Sequence, residues 1–164
     1  MRERRVVVTG LGCVTPVGND VPATWEALLA GKSGGAPITH FDASPCKVQF
    51  ACELKGFDPT LYMDRKEVKR ADRYAQYGVV AAVQAMRDAG FGEPGEYDAE
   101  RTGVIFGSGI GGIATFEKQL DVCRDEGPNR ISPFFVPMYI LDIAAGLIAI
   151  RFQAKGPNYA TVSA

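Results

Sequence analysis

The segment Thr102-Gly-Val-Ile-Phe-Gly-Ser-Gly-Ile-Gly-Gly112 decides the fold class. Its first five residues predict a strand, the next six form a glycine loop, and a helix through Phe116 and Leu120 is expected to follow. The same order occurs near the N-terminus, where the valines of residues 5–12 predict a strand that is buried on both faces and runs into a glycine turn. Strands that alternate with helices in this way indicate the α/β class.

Further elements are predicted by their residue patterns. A first helix is capped at Asn19 or Asp20 and closed by Gly31, and a half-exposed strand is expected at 47–54. A long helix then follows the charged stretch at 64–73 and ends at Gly90. A buried apolar helix is expected at 139–152, and a last strand begins at Asn158 and ends at Ala164. The proline-rich stretch 127–137 predicts irregular structure. Because no low-complexity linker interrupts the 164 residues, a single domain over 1–164 is expected.

The glycine loop has two interpretations. Gly107, Gly109 and Gly112 satisfy the G-x-G-x-x-G pattern of dinucleotide-binding folds. That fold also needs an acidic residue at the end of a second strand about 20 positions on. Asp125 and Glu126 stand there but are expected to close a helix. A tight turn at which the backbone approaches a neighbour closely is therefore favoured, and a nucleotide-binding domain stays as an alternative.

Composition argues against several classes of function. The 18 basic and 19 acidic residues give a formal charge of −1, which is not typical of a nucleic-acid binder. The four cysteines form no C-x-x-C pair and His40 is the only histidine, so no metal site is expected. The cysteines are interpreted as buried packing residues and His40 as a structural or surface residue. Because no apolar stretch reaches the ~20 residues of a membrane span, a cytoplasmic protein without membrane contact is expected.

A basic cluster lies in the charged stretch before the long helix. It consists of Arg65, Lys66, Lys69, Arg70 and Arg73, with acidic residues among them. Such a cluster is either a solvated helix face with internal ion pairs or a docking surface for an acidic partner. The residues alone favour the solvated face.

Segments spread over almost the whole chain carry a more specific signal. They are Arg4-Arg-Val-Val-Val-Thr-Gly-Leu-Gly12, Thr15-Pro-Val-Gly18, Leu28-Leu-Ala-Gly-Lys-Ser-Gly34, His40-Phe-Asp42, Asp64-Arg-Lys-Glu67, Gln76-Tyr-Gly78, the glycine loop, Arg130-Ile-Ser-Pro-Phe-Phe-Val-Pro137 and Lys155-Gly-Pro-Asn-Tyr159. In sequence and in order they resemble the type II β-ketoacyl-[acyl-carrier-protein] synthases of fatty-acid biosynthesis. The resemblance implies the N-terminal half of a thiolase-like α/β fold, with helix and sheet layers and a mixed sheet.

The resemblance also implies a two-step acyl transfer. A nucleophilic cysteine is expected immediately after Ala164, at the start of a buried helix where the thiolate is favoured. It takes an acyl group from acyl-acyl carrier protein, and malonyl-acyl carrier protein then loses CO₂ and attacks the thioester. The family's catalytic histidines and lysine belong to a C-terminal half that this chain does not contain. No catalytic residue within the chain, no cofactor and no activity of residues 1–164 alone are therefore expected.

Substrate and partner contacts within the chain follow from the same resemblance. Gly109 and Ile110 are expected to line the acyl tunnel, and Phe135 to close it from across a dimer interface, although simple core filling is the alternative for both apolar residues. Four basic residues match carrier-protein contacts: Lys66, Lys69, Arg70 and Arg130. The last strand, from Asn158 to Ala164, is expected to pair with its twin in a homodimer.

Two points qualify the resemblance. Asp142 stands where the family pattern predicts asparagine, and a carboxylate inside an apolar helix is costly unless it is paired. A chain-length-factor-like partner subunit of polyketide systems, which keeps the fold but lacks the cysteine, is the alternative function. The residue after Ala164 separates the two, since cysteine indicates the synthase and glutamine the partner subunit.

Overall fold

The computed structural model of the protein describes residues 4–92 and 95–162. Its helices are α1 (Val21–Leu29), α2 (Arg65–Lys69), α3 (Arg73–Asp88), α4 (Ile113–Glu126), α5 (Phe135–Tyr139) and α6 (Ile143–Phe152). Its strands are β1 (Ala36–Pro37), β2 (Phe50–Ala51), β3 (Val104–Gly107) and β4 (Asn158–Thr161). Single 3₁₀ turns lie at Pro59–Leu61, Ala99–Arg101 and Pro128–Arg130.

The core lies between α3 and α6. Ala75 of α3 and Ala144 of α6 are completely buried, so the two helices meet through small side chains. Val79, Val83 and Phe152 extend the same buried cluster. Ala75, Val79 and Val83 follow one another at four-residue spacing and therefore form one face of α3, which packs on α6.

Strands β3 and β4 pair in parallel beside this helix pair. Val104 lies opposite Asn158 and Gly107 opposite Thr161, which puts the ends of both strands at one edge of the molecule. Helix α3 crosses β3 at Gly78, where a Cβ atom would lie 2.5 Å from the ring of Phe106. The glycine loop and the end of β4 are thus placed side by side by the register of the two strands.

The N-terminal segment is not the buried strand that its valines predict. Residues 4–14 have no regular secondary structure and pair with no strand among the described residues, and Val6 is 94% exposed. The backbone of this segment bonds instead to side chains of α3: the Leu11 N–H donates to Asp88 and the Cys13 N–H to Gln84. A strand needs hydrogen-bonding partners on its edges, and valine propensity alone does not supply them.

Three other boundaries differ from the predictions. The strand expected at 47–54 is reduced to β2, which pairs antiparallel with β1. The helix expected at 139–152 begins only at Ile143, as α6; Tyr139 is the last residue of the preceding short helix α5, and residues 140–142 connect the two. Helix α5 includes Pro137 although the stretch 127–137 predicts irregular structure; this proline lies in the first turn, where its missing N–H is not needed.

Candidate functional site

The glycine loop is fastened to the end of α5. The Gly112 N–H donates to the carbonyl oxygen of Tyr139 at 3.0 Å, and the Gly111 N–H donates to the Ser108 hydroxyl at 3.1 Å. Gly111 has φ +83°, and a Cβ atom there would lie 2.6 Å from the Tyr139 carbonyl oxygen. The prediction of a tight turn with close backbone approach is confirmed.

Ile110 projects from this loop into a cavity of about 300 Å³. The cavity is lined by Ile110, residues 139–142, Ala160 and Val162, so the loop, the α5–α6 connection and β4 each provide a wall. Ile110 is 58% exposed, which shows that it does not fill the core of the described chain. Gly109, its neighbour, has open space where a side chain would stand. Ala164 lies outside the described residues; Val162, two residues before it in the sequence, lines the cavity.

Phe135 belongs to an aromatic cluster rather than to that cavity. Its ring lies 6.1 Å from Phe116 and 5.7 Å from Tyr139, measured between centroids. It lines a second, smaller cavity of about 130 Å³ on α4, with Phe116 and Cys123 among its walls. Tyr139 contacts both regions, whereas Ile110 and Phe135 of one chain do not share a cavity. A role for Phe135 across a dimer interface stays a prediction.

The four predicted docking residues are all exposed. Lys66 and Lys69 lie on α2 and have no carboxylate within 4.0 Å among the residues that the structure describes. The guanidinium of Arg70 lies 4.5 Å above the centre of the Phe134 ring. Arg130 forms an ion pair of 3.4 Å with Glu126. Neither lysine is held in an ion pair among the described residues, although hydrogen bonds from the α2 backbone and, to a smaller extent, the positive charges of Lys66 and Arg70 lower the pKa of Asp64.

A buried carboxylate, Asp72, was not singled out by the sequence. It is the N-cap of α3 and also accepts hydrogen bonds from the N–H (2.9 Å) and the hydroxyl (2.6 Å) of Thr115 in α4. Tyr74, two residues on, donates its hydroxyl to the Ile140 carbonyl oxygen. Burial raises the pKa of Tyr74 to about 12, and the negative charges of Asp72 and Asp142 add to this effect. In sequence, the only signal for Asp72 is an aspartate before a helical run, which predicts the α3 cap but not the bond to α4.

Asp142 is not inside a helix, which corrects the expectation of a buried carboxylate in an apolar segment. It is the exposed residue immediately before α6, and its side chain makes no capping hydrogen bond. A negative charge at this end of α6 is favoured by the helix dipole, so no pairing partner is required.

His40 lies apart from these features. Its Nδ1 is 3.4 Å from Glu53 Oε1 and 3.3 Å from an Arg73 guanidinium nitrogen. The Thr39 hydroxyl is the main cause that lowers the pKa of Glu53, and hydrogen bonds from the Thr39 and His40 backbone add to it. His40 contacts no serine or cysteine among the described residues, in agreement with a structural or surface position.

Two further expectations concern the cysteines and metals. Cys46 and Cys52 are exposed and Cys13 and Cys123 half-buried, so the interpretation of all four as buried packing residues is wrong. Within residues 4–92 and 95–162, no group of three or more potential metal ligands comes together. In the same ranges no helix is long and apolar enough to cross a bilayer.

The chain resembles known proteins over its whole length. The sequence pattern described as "Beta-ketoacyl synthase, N-terminal domain" matches residues 3–164. The chain is 48% identical over 164 residues to 3-oxoacyl-[acyl-carrier-protein] synthase 2 of Coxiella burnetii and 47% identical over 164 residues to the protein of that name from Synechocystis. It spans only 39% of the length of each of these relatives.

Solved structures agree in fold. The ishigamide ketosynthase/chain length factor superposes with a TM-score of 0.84 over 97% of this chain and 40% of its own, at 28% identity. A β-ketoacyl synthase from Burkholderia phymatum superposes with a TM-score of 0.74 over 97% of this chain and 39% of its own, at 22% identity, which concerns the fold alone. The α/β, thiolase-like architecture expected from the sequence is confirmed.

Proposed function

Because this chain belongs to the β-ketoacyl synthase family, in which it matches the N-terminal domain, we propose that it is the N-terminal part of a 3-oxoacyl-[acyl-carrier-protein] synthase. The observation that carries the proposal is the match over residues 3–164 together with about half identity to synthases of that name. The chain-length-factor alternative is supported less, because the ishigamide ketosynthase/chain length factor is only 28% identical to this chain, compared with 47–48% for the two synthases.

The reaction joins two thioester substrates. A cysteine thiolate attacks the carbonyl carbon of acyl-acyl carrier protein, and the carrier thiol leaves. Malonyl-acyl carrier protein then loses CO₂, and the carbanion that remains attacks the enzyme-bound thioester and releases the cysteine sulfur. The product is a 3-oxoacyl-acyl carrier protein two carbons longer. The nucleophile is expected after Ala164, so residues 1–164 alone should not catalyse this reaction.

This part of the enzyme would shape the acyl chain's binding site. The cavity beside Ile110 is apolar on the side of the loop and of β4, and it reaches Val162 close to the expected nucleophile. An apolar wall there suits a hydrocarbon chain, since binding removes apolar surface from water. Gly109 leaves space next to Ile110 for that chain.

The exposed basic residues would receive the acidic carrier protein. Lys66 and Lys69 point their charges into solvent without carboxylate partners among the described residues, so no ion pair must break when a partner binds. Opposite charge across such a surface accelerates association and selects the partner.

A homodimer through β4 is part of the same proposal, because among the described residues β4 pairs with β3 on one edge only.

A fusion protein tests the proposed function. Residues 1–164 are joined to the part of the Coxiella burnetii relative that follows its matched region, which gives the completed synthase. Incubated with acyl- and malonyl-acyl carrier protein, it should form the 3-oxoacyl product, detected by mass spectrometry. The same fusion with the relative's nucleophilic cysteine changed to alanine is the control. No product from the fusion, under conditions where the intact Coxiella enzyme is active, would contradict the proposal.

Charge reversal tests the docking surface in the completed synthase. Lys69→Glu should raise the KM for acyl-acyl carrier protein by roughly tenfold, because a repulsive charge replaces an attractive one, while kcat changes little. Lys32→Glu, an exposed lysine outside the cluster, serves as the matched control. A KM that responds equally to both substitutions would argue against a docking role for α2.

A further inference from the structure

One carboxylate caps two helices. Asp72 is 7% exposed. Its Oδ1 accepts a hydrogen bond from the Tyr74 N–H in the first turn of α3, and its Oδ2 accepts from the N–H and the hydroxyl of Thr115. Thr115 is the third residue of α4, so its N–H is one of the donors that a helix leaves without an internal partner.

Helix α4 has no side-chain cap of its own. Its N-cap position is Gly112, which makes no side-chain hydrogen bond. Asp72 therefore supplies from the start of α3 the acceptor that a serine or aspartate at position 112 would normally provide. The carboxylate lies at the positive ends of both helix dipoles, which favours its negative charge.

The hydrogen bonds of Asp72 lead to two walls of the 300 Å³ cavity. On one side, α4 follows directly on the glycine loop that carries Ile110. On the other side, the Tyr74 N–H donates to Asp72, and the Tyr74 hydroxyl donates to the carbonyl oxygen of Ile140, which lines the cavity. A shift of Asp72 would move the Ile110 wall and the Ile140 wall relative to each other.

We propose that Asp72 is a positioning residue that sets the distance between these two walls and thereby the length of acyl chain that the cavity accepts. The proposal rests on the proposed function, because only that function brings an acyl chain to the cavity. Asp72 itself touches no substrate and acts through Thr115 and Tyr74.

Asp72→Asn in the completed synthase is the test. Asparagine keeps the size of the side chain but replaces one of the two carboxylate oxygens by an NH₂ group, which only donates. Since Oδ1 accepts from α3 and Oδ2 from α4, one of the two helices then faces a donor instead of an acceptor. Loss of a cap should make the Thr115 amide proton exchange with solvent about fivefold faster. The ratio of kcat/KM between long and short acyl-carrier substrates should change by at least about threefold, while the KM for malonyl-acyl carrier protein stays the same.

Asp88→Asn is the matched control. Asp88 also accepts a backbone hydrogen bond, from Leu11, but it lies at the far end of α3 and away from the cavity. The Asp88→Asn variant should leave unchanged both the exchange rate of the Thr115 amide proton and the ratio of kcat/KM between long and short acyl-carrier substrates. Thr115→Val, which removes only the hydroxyl donor, should shift the ratio in the same direction by a smaller factor, and it replaces Asp72→Asn if that variant does not fold.

The outcomes separate the two proposals. Faster exchange with an unchanged chain-length ratio would overturn the positioning role, since Asp72 would then be structural only. An unchanged exchange rate would overturn the shared cap. A wild-type fusion without condensing activity would count against the proposed function and therefore against a role of Asp72 in acyl-chain length. The exchange rate of the Thr115 amide proton would still show whether Asp72 caps both helices.

Discussion

Gly78 shows at the level of one residue how closely α3 and β3 pack. A Cβ atom at this position would lie 2.5 Å from Cε2 and 2.9 Å from Cζ of Phe106. Phe106 packs against the buried cluster and cannot move away without disturbing it. We expect Gly78→Ala to lower the free energy of unfolding by about 1–3 kcal/mol, measured by urea unfolding of the completed synthase.

Gly146 provides the matched comparison. It lies in the interior of α6, and nothing stands within 4 Å of where its Cβ would be. Gly146→Ala should raise stability by up to about 1 kcal/mol, because alanine loses less backbone entropy in a helix. Equal effects of the two substitutions would contradict the close crossing at Gly78.

Tyr74 gives a pH-dependent signal at the same scale. Its pKa is raised from 10.0 to about 12, mainly by burial. The folded protein therefore holds the phenol proton more tightly than the unfolded chain does. This contribution to stability is complete below pH 10 and is lost as the pH rises from about 10 to about 12. Burial raises the pKa of Tyr77 as well, so the signal of Tyr74 is the late-titrating absorbance at high pH that is present in the wild type and lost in Tyr74→Phe. An absorbance titration that Tyr74→Phe leaves unchanged above pH 10 would exclude the buried environment of Tyr74.

Individual residues also show where sequence reasoning stops. The tight turn of the glycine loop was predicted because a short glycine pattern determines it, whereas the role of Ile110 in the acyl tunnel was implied only by the family resemblance. The bond from Asp72 to Thr115 spans 43 residues and has no local pattern. A carboxylate before a helix is read as a cap for that helix, and nothing in the sequence says that a second helix uses it.

At the scale of elements, Asp142 and α6 allow a test of the departure from the family pattern. Asp142→Asn removes a negative charge from the positive end of the α6 dipole and should destabilise the protein by about 0.3–1 kcal/mol at low salt, less at high salt. The same change should lower the pKa of Tyr74, since Asp142 contributes to raising it. A stability that does not respond to salt in the wild type would argue against the dipole interaction.

Helices were predicted better than strands, for a physical reason. Helix α3 and helix α4 are specified by hydrogen bonds and side-chain spacing within their own residues. A strand at residues 5–12 requires a partner strand, and none pairs with it within the described part of the chain. The helix expected at 139–152 begins only at Ile143, because residues 140–142 form the connection from α5 to α6 beside the cavity. Apolar composition alone does not reveal this connection, which depends on tertiary contacts.

At the scale of the whole molecule, apolar surface is unusually exposed. Val6, Val8 and Ile150 are among many large apolar side chains open to solvent. Such patches and the single-sided pairing of β4 favour association. Residues 1–164 expressed alone should therefore self-associate, as measured by size-exclusion chromatography with light scattering. Val7→Lys combined with Ile150→Lys should raise the soluble fraction, and a soluble, cooperatively melting wild-type monomer would contradict the prediction.

The overall class was accessible from sequence, but the arrangement of its site was not. Alternating strands and helices predict α/β, and the structure and its relatives agree. Ile110 and Phe135 line separate cavities within one chain. Tyr139, the last residue of α5, lines the cavity beside Ile110 and also packs against the ring of Phe135. These tertiary contacts of Tyr139 determine the arrangement.

The stacking of Arg70 on Phe134 has a consequence for partner choice. The Arg70 guanidinium already has a favourable cation–π interaction with the Phe134 ring. A binding partner must therefore present enough negative charge to compete with that interaction for Arg70. On the proposed docking surface, we expect strongly acidic proteins to meet this requirement and weakly charged proteins not to meet it. Phe134 would thus increase the selectivity of this surface for acidic partners without contacting the partner itself.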